Sequence, residues 1–406
     1  MYGEAKHRSI VHDFFFVSEG KATDYFWYPH FRFRQSYNDN LQLRIRRPLG
    51  AWVSAIRPGL EVGRQSEVDS LVASADWNIL RYSPFNYRSK KPDLDAFEHY
   101  YSLDWQHTGE RYQASIDTDY TIRTTLTAEV GESGILAPIN RNQWLVTPAW
   151  TYQLTDRQRV QLNYVFQKTT YQRKKNLGVF TDYTYHTASA TWFYQWNELS
   201  EISVSAFASR YEPDNLPQRA DTLGAQLGLR YLFSDTLSGG VSAGIRYTYS
   251  KARINKTVTI NGITFLLPET RNKKDTELGW VAMADLTQKL ENGRWTVSLS
   301  RQLQPLGFGG LSEQSEGRFH LERNFSQRWS THLRLIGKLF DTTGGSARNI
   351  KRKYFSVQPS VRWRWTRDIY FELSYNYRYQ KFNRNRKAAD ANVVSLFIRY
   401  QPLKEW

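Results

Sequence analysis

Residues 355–365 read FSVQPSVRWRW, and in this stretch every second residue is apolar or aromatic. The residues between them are Ser356, Gln358, Ser360, Arg362 and Arg364. The alternation resumes over 369–380 and again over 394–401. Successive side chains of a β-strand point to opposite faces, so a period of two predicts strands with one apolar and one polar face.

These strands are too long for a soluble sandwich, whose strands usually have about 5–6 residues. About 9–11 residues cross a bilayer in an outer-membrane barrel, with aromatic residues at both interfaces. The pattern recurs backwards through the chain in units of roughly 40 residues, each holding two long strands. A β-propeller blade packs four short strands into about the same length, so we reject that competing fold.

Short turns and long polar loops alternate along the chain. Short turns are predicted at 108–109, 155–157, 197–198, 234–236, 291–293, 326–328 and 366–368. Long loops are predicted near 83–97, 124–142, 170–182, 210–219, 251–275, 305–315, 341–353 and 381–390, with Asn261-Gly262 as a small extra hairpin. Outer-membrane barrels have short periplasmic turns and long extracellular loops. We therefore predict one all-β domain over 26–406, an antiparallel up-and-down transmembrane barrel of about 18 strands, with 1–25 as a periplasmic tail or a small lumen segment.

Composition agrees with a barrel. The chain has 406 residues, no Cys, 14 Trp, 26 Tyr and 22 Phe, and its mean hydropathy is −0.63. No apolar run approaches the roughly 18 residues that a membrane-spanning helix needs. Because alternating residues cancel in a hydropathy window, a barrel hides its hydrophobicity. The N-terminus lacks the apolar segment of a signal peptide, so we interpret the chain as cytosolic or, preferably, as a mature protein of the bacterial outer membrane.

Nothing in the sequence calls for catalysis. Residues 240–244 match the G-x-S-x-G pattern, but they lie within a predicted strand, whereas a nucleophile elbow needs a strand-to-helix turn. The eight His are scattered, and we expect no metal and no cofactor. Asp117 and Asp119 face inward two residues apart, which suits carboxylates paired with arginines in a pore. We therefore predict that the protein is not an enzyme.

The net charge of +16 could indicate a nucleic-acid partner, but the basic residues are spread over the chain rather than massed in one patch, so we expect none. Alternation places many of them in the lumen: Arg32, Arg34, Arg57, Arg123, Arg159, Arg230, Arg246, Arg318, Arg334, Lys338, Arg362, Arg364, Arg378 and Arg399. The predicted inward acids, on the second to fifth strands, are Glu61, Asp76, Asp104, Asp117 and Asp119. A lumen with a basic wall selects anions. The alternative is that these charges pair across strands and only hold the barrel's shape.

The predicted loops are basic too, for example at 173–175 and 351–353. Two interpretations stay open. The loops contact the phosphates of lipopolysaccharide, a partner that we expect together with outer-membrane lipid. Alternatively, they form a basic mouth that guides an anionic polymer.

Two stretches resemble a known family. Residues 37–40, 52–53 and 57–60 are similar to the opening, and 147–157 to the middle, of the outer-membrane β-barrels found with exopolysaccharide and PEP-CTERM/exosortase loci. The resemblance runs along most of the chain from about residue 27 and carries no catalytic residues. It implies a barrel that secretes a surface polysaccharide and works with periplasmic export machinery. The final residues, Pro402 to Trp406, interrupt the alternation that barrel-assembly signals usually keep.

Three functional hypotheses follow. The first is a wide channel that passes an anionic exopolysaccharide outward through the arginine-lined lumen. The second is a general anion-selective diffusion porin, which predicts trimers and an inward constriction loop, most plausibly 124–142. The third is a structural barrel with a plugged lumen that anchors a surface assembly or secretion complex.

Overall fold

The computed structural model describes residues 23–86, 93–128, 130, 139–172, 180–214, 218–260, 263–307, 310–343, 351–383 and 387–402, with side chains throughout these ranges except 252–260 and 263–273. Within them the chain forms eighteen strands and one short helix. The strands are β1 Asp24–Asn38, β2 Gly50–Gln65, β3 Asp69–Phe85, β4 Ala96–Thr108, β5 Tyr112–Thr124, β6 Asn140–Thr155, β7 Gln158–Tyr171, β8 Tyr183–Asn197, β9 Ser200–Pro213, β10 Gln218–Leu232, β11 Leu237–Ile260, β12 Ile263–Leu290, β13 Gly293–Pro305, β14 Leu311–Asn324, β15 Trp329–Thr343, β16 Lys351–Arg364, β17 Ile369–Phe382 and β18 Ala389–Tyr400. The helix, α1 Thr125–Ala128, has four residues.

The sheet closes on itself. Every strand pairs antiparallel with the next, from β1–β2 through β9–β10 to β17–β18. The first strand also pairs with the last, and the register of β1 and β18 runs from Phe31 opposite Tyr400 to Asn38 opposite Val393. The predicted antiparallel, up-and-down barrel is therefore confirmed.

The strand pattern confirms the predicted turns, turns one predicted loop into strand and shortens others, among them 210–219, where β9 ends at Pro213 and β10 begins at Gln218. Predicted loop 251–275 is instead strand, because β11 and β12 extend far beyond their neighbours and remain paired to Ile260 and Ile263. Asn261 and Gly262, predicted as the turn of a separate small hairpin, lie outside the described residues. Predicted loop 305–315 shrinks to the connection between Pro305 and Leu311. Most of the predicted segment 1–25 lies outside the described residues, and β1 begins at Asp24.

The outer surface is apolar. Leu278 is 74 % exposed, Leu227 65 % and Ile245 64 %, and all three point away from the lumen. Exposed tryptophans lie near both ends of the strands, for example Trp196 near a short turn and Trp280 toward the long-loop end. A contiguous apolar surface of this size is unstable in water. A closed sheet satisfies its backbone hydrogen bonds within hydrocarbon, so the barrel spans the bacterial outer membrane. Among the described residues, no helix is long and apolar enough to cross a membrane.

A charged residue introduced on this apolar surface is expected to lower the unfolding free energy of the barrel in a bilayer. Leu227→Arg should destabilise the barrel by about 2–4 kcal/mol, because the new charge faces hydrocarbon near the middle of β10. Gln226→Arg, at the neighbouring lumen-facing position, is the matched control and should change the unfolding free energy little. Urea titrations in phospholipid vesicles measure both, and equal effects would show that the two faces have been assigned wrongly.

Candidate functional site

The barrel lumen brings together all the predicted basic residues. Cross-strand register places each of them on the face opposite the apolar surface: Arg32, Arg34, Arg57, Arg123, Arg159, Arg230, Arg246, Arg318, Arg334, Lys338, Arg362, Arg364, Arg378 and Arg399. Three inward arginines were missed by the sequence analysis: Arg141, opposite Arg123, Arg294, opposite Glu322, and Arg352, opposite Phe340.

Three of these arginines stand side by side where the barrel closes. Arg32 on β1 is directly opposite Arg57 on β2 and directly opposite Arg399 on β18. We call these three residues the arginine row. Like charges in direct cross-strand register destabilise a sheet, by roughly 0.2–1 kcal/mol a pair. The fold therefore retains an electrostatic cost at this point in the lumen.

The two outer members of the arginine row have carboxylate partners. The Arg57 Nε donates to Asp76 Oδ1 at 2.9 Å, and the same oxygen lies 2.9 Å from His30 Nε2. On the other side, Arg399 Nη2 lies 3.4 Å from Glu372 Oε2. Arg32, in the middle, forms no ion pair within 4 Å with any residue that the structure describes. Its charge is the least compensated of the three.

Aromatic rings hold the guanidinium groups around the row. The Arg57 guanidinium carbon lies 4.2 Å from the centroid of the Tyr100 ring. The Tyr370 ring contacts two arginines, with its centroid 4.7 Å from the guanidinium carbon of Arg362 and 5.5 Å from that of Arg399. Because a stacked guanidinium keeps its N–H groups in the plane of the fork, its donors stay available to a planar carboxylate or to a phosphate.

Several buried arginine donors in the lumen have no hydrogen-bond partner among the described residues, some of them beside the arginine row. The Nε atoms of Arg34, Arg362 and Arg399, and the Nε and Nη2 atoms of Arg378, have no hydrogen-bond partner among the described residues. A buried donor without a partner costs about 1–3 kcal/mol, more when it is charged. These guanidinium groups therefore keep unused hydrogen-bond donors within the described part of the lumen.

The other predicted basic residues are partly neutralised. Glu316 contacts both Arg318 and Lys338, and Arg246 contacts Glu277 at 3.0 Å and also Glu313. The predicted acids Asp104 and Asp117 face each other, and Asp119 lies opposite Ser102 on the same wall. The prediction that inward acids concentrate on the second to fifth strands is therefore incomplete, since Glu201, Glu277, Glu316 and Glu372 face the lumen on later strands. Many of the inward charges therefore pair across strands, including Arg57 and Arg399 of the arginine row, whereas Arg32 has no such ion pair among the described residues.

Chain segments fold into the lumen from the side of the long loops. Leu41 and Leu126 pack against inward residues of β2 and β3, including Val53 and Leu80. The helix α1 is held by Glu98, 1 % exposed, which accepts hydrogen bonds from Thr124 N and Thr127 Oγ1. Predicted constriction segment 124–142 therefore does enter the lumen in its described part, while Gly131-Glu132-Ser133-Gly134 lies outside the described residues.

Arg352 fastens this segment to the far wall. Its Nη2 donates to the carbonyl oxygen of Val130 at 2.7 Å, and its Nε donates to Gln380 Oε1 at 3.1 Å. Gln380 Nε2 in turn donates to the carbonyl oxygen of Leu43 at 2.9 Å. Val130 follows β5, and Arg352 begins β16, on the other side of β1. Val130 therefore lies across the lumen from β5, and the Arg352–Gln380 pair anchors it together with the segment that follows β1.

The top of the β13–β14 hairpin also lies inside. Its pairing with β12 stops at Ala282 opposite Arg301, although both strands continue. Beyond that point Leu303 and Leu311 pack against the inward side chains of Tyr183 and Tyr211. The tip closely approaches β7 and β9: Gly310 N donates to Tyr211 Oη at 3.0 Å, and a Cβ on Gly307 would lie 2.1 Å from Tyr171 Oη.

Open space remains in the lumen. Met283 faces inward opposite Ser242 and Ser300, yet it is 48 % exposed. Small inward residues such as Gly228 and Gly240 leave room around it. Among the described residues, no three His, Asp or Glu side chains come together as metal ligands would.

Comparison with solved structures finds similar chains at low sequence identity. The outer membrane protein OpdK from Pseudomonas aeruginosa is 8 % identical, with 93 % of this chain and 98 % of that chain covered and a TM-score of 0.43. OpdQ from Pseudomonas aeruginosa is 12 % identical, with 92 % of this chain and 98 % of that chain covered and a TM-score of 0.41. OccAB4 from Acinetobacter baumannii is 11 % identical, with 92 % of this chain and 97 % of that chain covered and a TM-score of 0.40. No protein-family model and no curated protein matches the chain.

Removing the hydrogen bonds that Arg352 donates to Val130 and Gln380 should widen the channel. Arg352→Met removes the donors to Val130 O and Gln380 while keeping much of the side-chain volume, and each group left unsatisfied costs about 1–3 kcal/mol. We expect higher single-channel conductance and larger current fluctuations in planar bilayers. Lys353→Met, at the neighbouring outward position, is the control. An assembled Arg352→Met barrel with unchanged current would show that the anchor does not limit the lumen.

Proposed function

We propose that this protein is a diffusion channel of the outer membrane that prefers small anionic solutes, such as those bearing a carboxylate, sulfate or phosphate group. The observation that carries the proposal is the arginine row, three like charges in register with an uncompensated Arg32 at the centre. Rings of charged side chains in a pore select permeants of the opposite sign.

The inward segments favour small solutes over a polymer. Secretion of an exopolysaccharide requires a wide lumen, whereas here Val130 lies across the lumen from β5 and the β13–β14 tip packs on its wall. Export of an anionic exopolysaccharide with periplasmic machinery stays a prediction of the sequence resemblance. A conductance measurement distinguishes the third hypothesis, the structural barrel with a plugged lumen, because such a barrel conducts no ions.

Ion selectivity tests the proposal. Purified protein in a planar bilayer under a KCl gradient should show a reversal potential of the sign that anion preference requires. Replacing Arg32, Arg57 and Arg399 by Gln should remove most of that preference, because the fixed charges that concentrate anions are lost.

The matched control removes three other lumen charges, with Arg159, Arg230 and Arg294 replaced by Gln near the short turns. We expect this control to retain most of the preference. Cation preference in the unmodified protein would overturn the proposal, and so would equal losses in the two triple variants.

Removing a counter-ion should act in the opposite direction. Glu372→Gln frees Arg362 and Arg399, and Asp76→Asn frees Arg57, so each variant should increase anion preference. If these carboxylates only brace the barrel, the variants should instead lower the unfolding temperature and leave the reversal potential unchanged. Asp104→Asn, on the acidic wall, controls for the simple loss of one lumen carboxylate.

A further inference from the structure

Two pairs of lysines stand on the outer surface in direct cross-strand register. Lys251 on β11 is opposite Lys274 on β12, and Lys353 on β16 is opposite Lys381 on β17. All four side chains are exposed on the face away from the lumen. Such like-charge pairs destabilise a sheet when no counter-ion is present.

Both pairs lie above the apolar belt. About 46 Å of strand separates Leu237, beside a short turn, from Lys251, which is about 35 Å of height at a tilt of about 40°. The corresponding height from Arg364 to Lys353 is about 28 Å. The apolar band of an outer-membrane barrel is about 25 Å tall. The lysines therefore reach the headgroup layer on the long-loop side.

Their surroundings leave the charges uncompensated. No described acidic side chain is within ion-pair distance of the four lysines. The cations beside them differ: Arg219, opposite Lys251, contacts Asp221 at 2.9 Å, and Lys351 contacts Asp341 at 2.7 Å. Among the described residues, the neighbouring cations therefore have carboxylate partners, whereas the four lysines have none.

Apolar side chains continue the same face below each pair. Below Lys251 and Lys274 lie Tyr247 and Leu278, which are opposite each other and 49 % and 74 % exposed. Below Lys353 and Lys381 lie Phe355 and Tyr379, also opposite each other. A ligand that fits has an anionic head and hydrocarbon chains, which is the chemistry of a lipid.

We propose that each lysine pair binds the phosphate of a phosphorylated glycolipid in the outer leaflet, with the acyl chains on the apolar face below. Two ammonium groups side by side suit a phosphate with several acceptor oxygens. Basic residues close to an anionic membrane surface are each worth roughly 1 kcal/mol, so losing a pair should weaken retention about 30-fold.

Native mass spectrometry of the detergent-solubilised barrel with bisphosphorylated lipid A tests this proposal. The unmodified protein should retain two lipid molecules, Lys251→Gln/Lys274→Gln and Lys353→Gln/Lys381→Gln one each, and the quadruple variant none. Dephosphorylated lipid A should be retained far less, and excess inorganic phosphate should fail to displace the intact lipid, because both parts of the ligand contribute.

The control variant Arg157→Gln/Arg323→Gln removes two charges near the short turns and should retain both lipids. Heat-modifiable mobility in gels verifies that every variant has assembled. The proposal is overturned if the assembled quadruple variant retains the lipid, if the control loses it equally, if dephosphorylated lipid binds as well, or if inorganic phosphate displaces it.

Discussion

Hydrogen bonding between the first and the last strand is the constraint on which the rest of this structure depends. In hydrocarbon an unpaired backbone group costs several kcal/mol, so a sheet that enters a bilayer must have no edge. β1 satisfies both of its edges, with β2 on one side and β18 on the other. Once the sheet is closed, a side chain can point only toward lipid or toward the lumen.

That division places the charges where they can act. The same closure that pairs β1 with β18 also brings Arg399, near the end of the chain, beside Arg32, near its beginning. Protein carboxylates approach this cluster from its two sides, through Asp76 and Glu372, and leave its centre positive. The lumen is therefore electrostatically uneven, with ion pairs along much of the wall and an incompletely neutralised arginine row where β1 meets β18.

Segments folded into the lumen give the channel its size. They depend on a few buried polar groups rather than on a large core: Glu98 holds α1, Arg352 with Gln380 holds two connections, and Tyr211 receives the β13–β14 tip. Buried polar groups hold their positions firmly only when their partners are present. The same few contacts therefore set both the width of the lumen and its sensitivity to change.

The sequence by itself determined the number of strands, most of their extent and the lumen position of every predicted arginine, because a period of two is a local property of extended chain. It also indicated segment 124–142 as the constriction. It could not reveal Glu98 as the support of α1, or Arg352 as an anchor, since Val130 and Arg352 are distant in the chain and meet only across the lumen. Basic residues at 351–353 looked like loop, although continuing the alternation back from Phe355 would have turned Arg352 inward. Only the tertiary structure decided which arginines have counter-ions. Ion pairing depends on the relative height of neighbouring strands and on the inward fold of the β13–β14 hairpin. The register between strands that are far apart in sequence is set by closure of the barrel rather than by a local pattern.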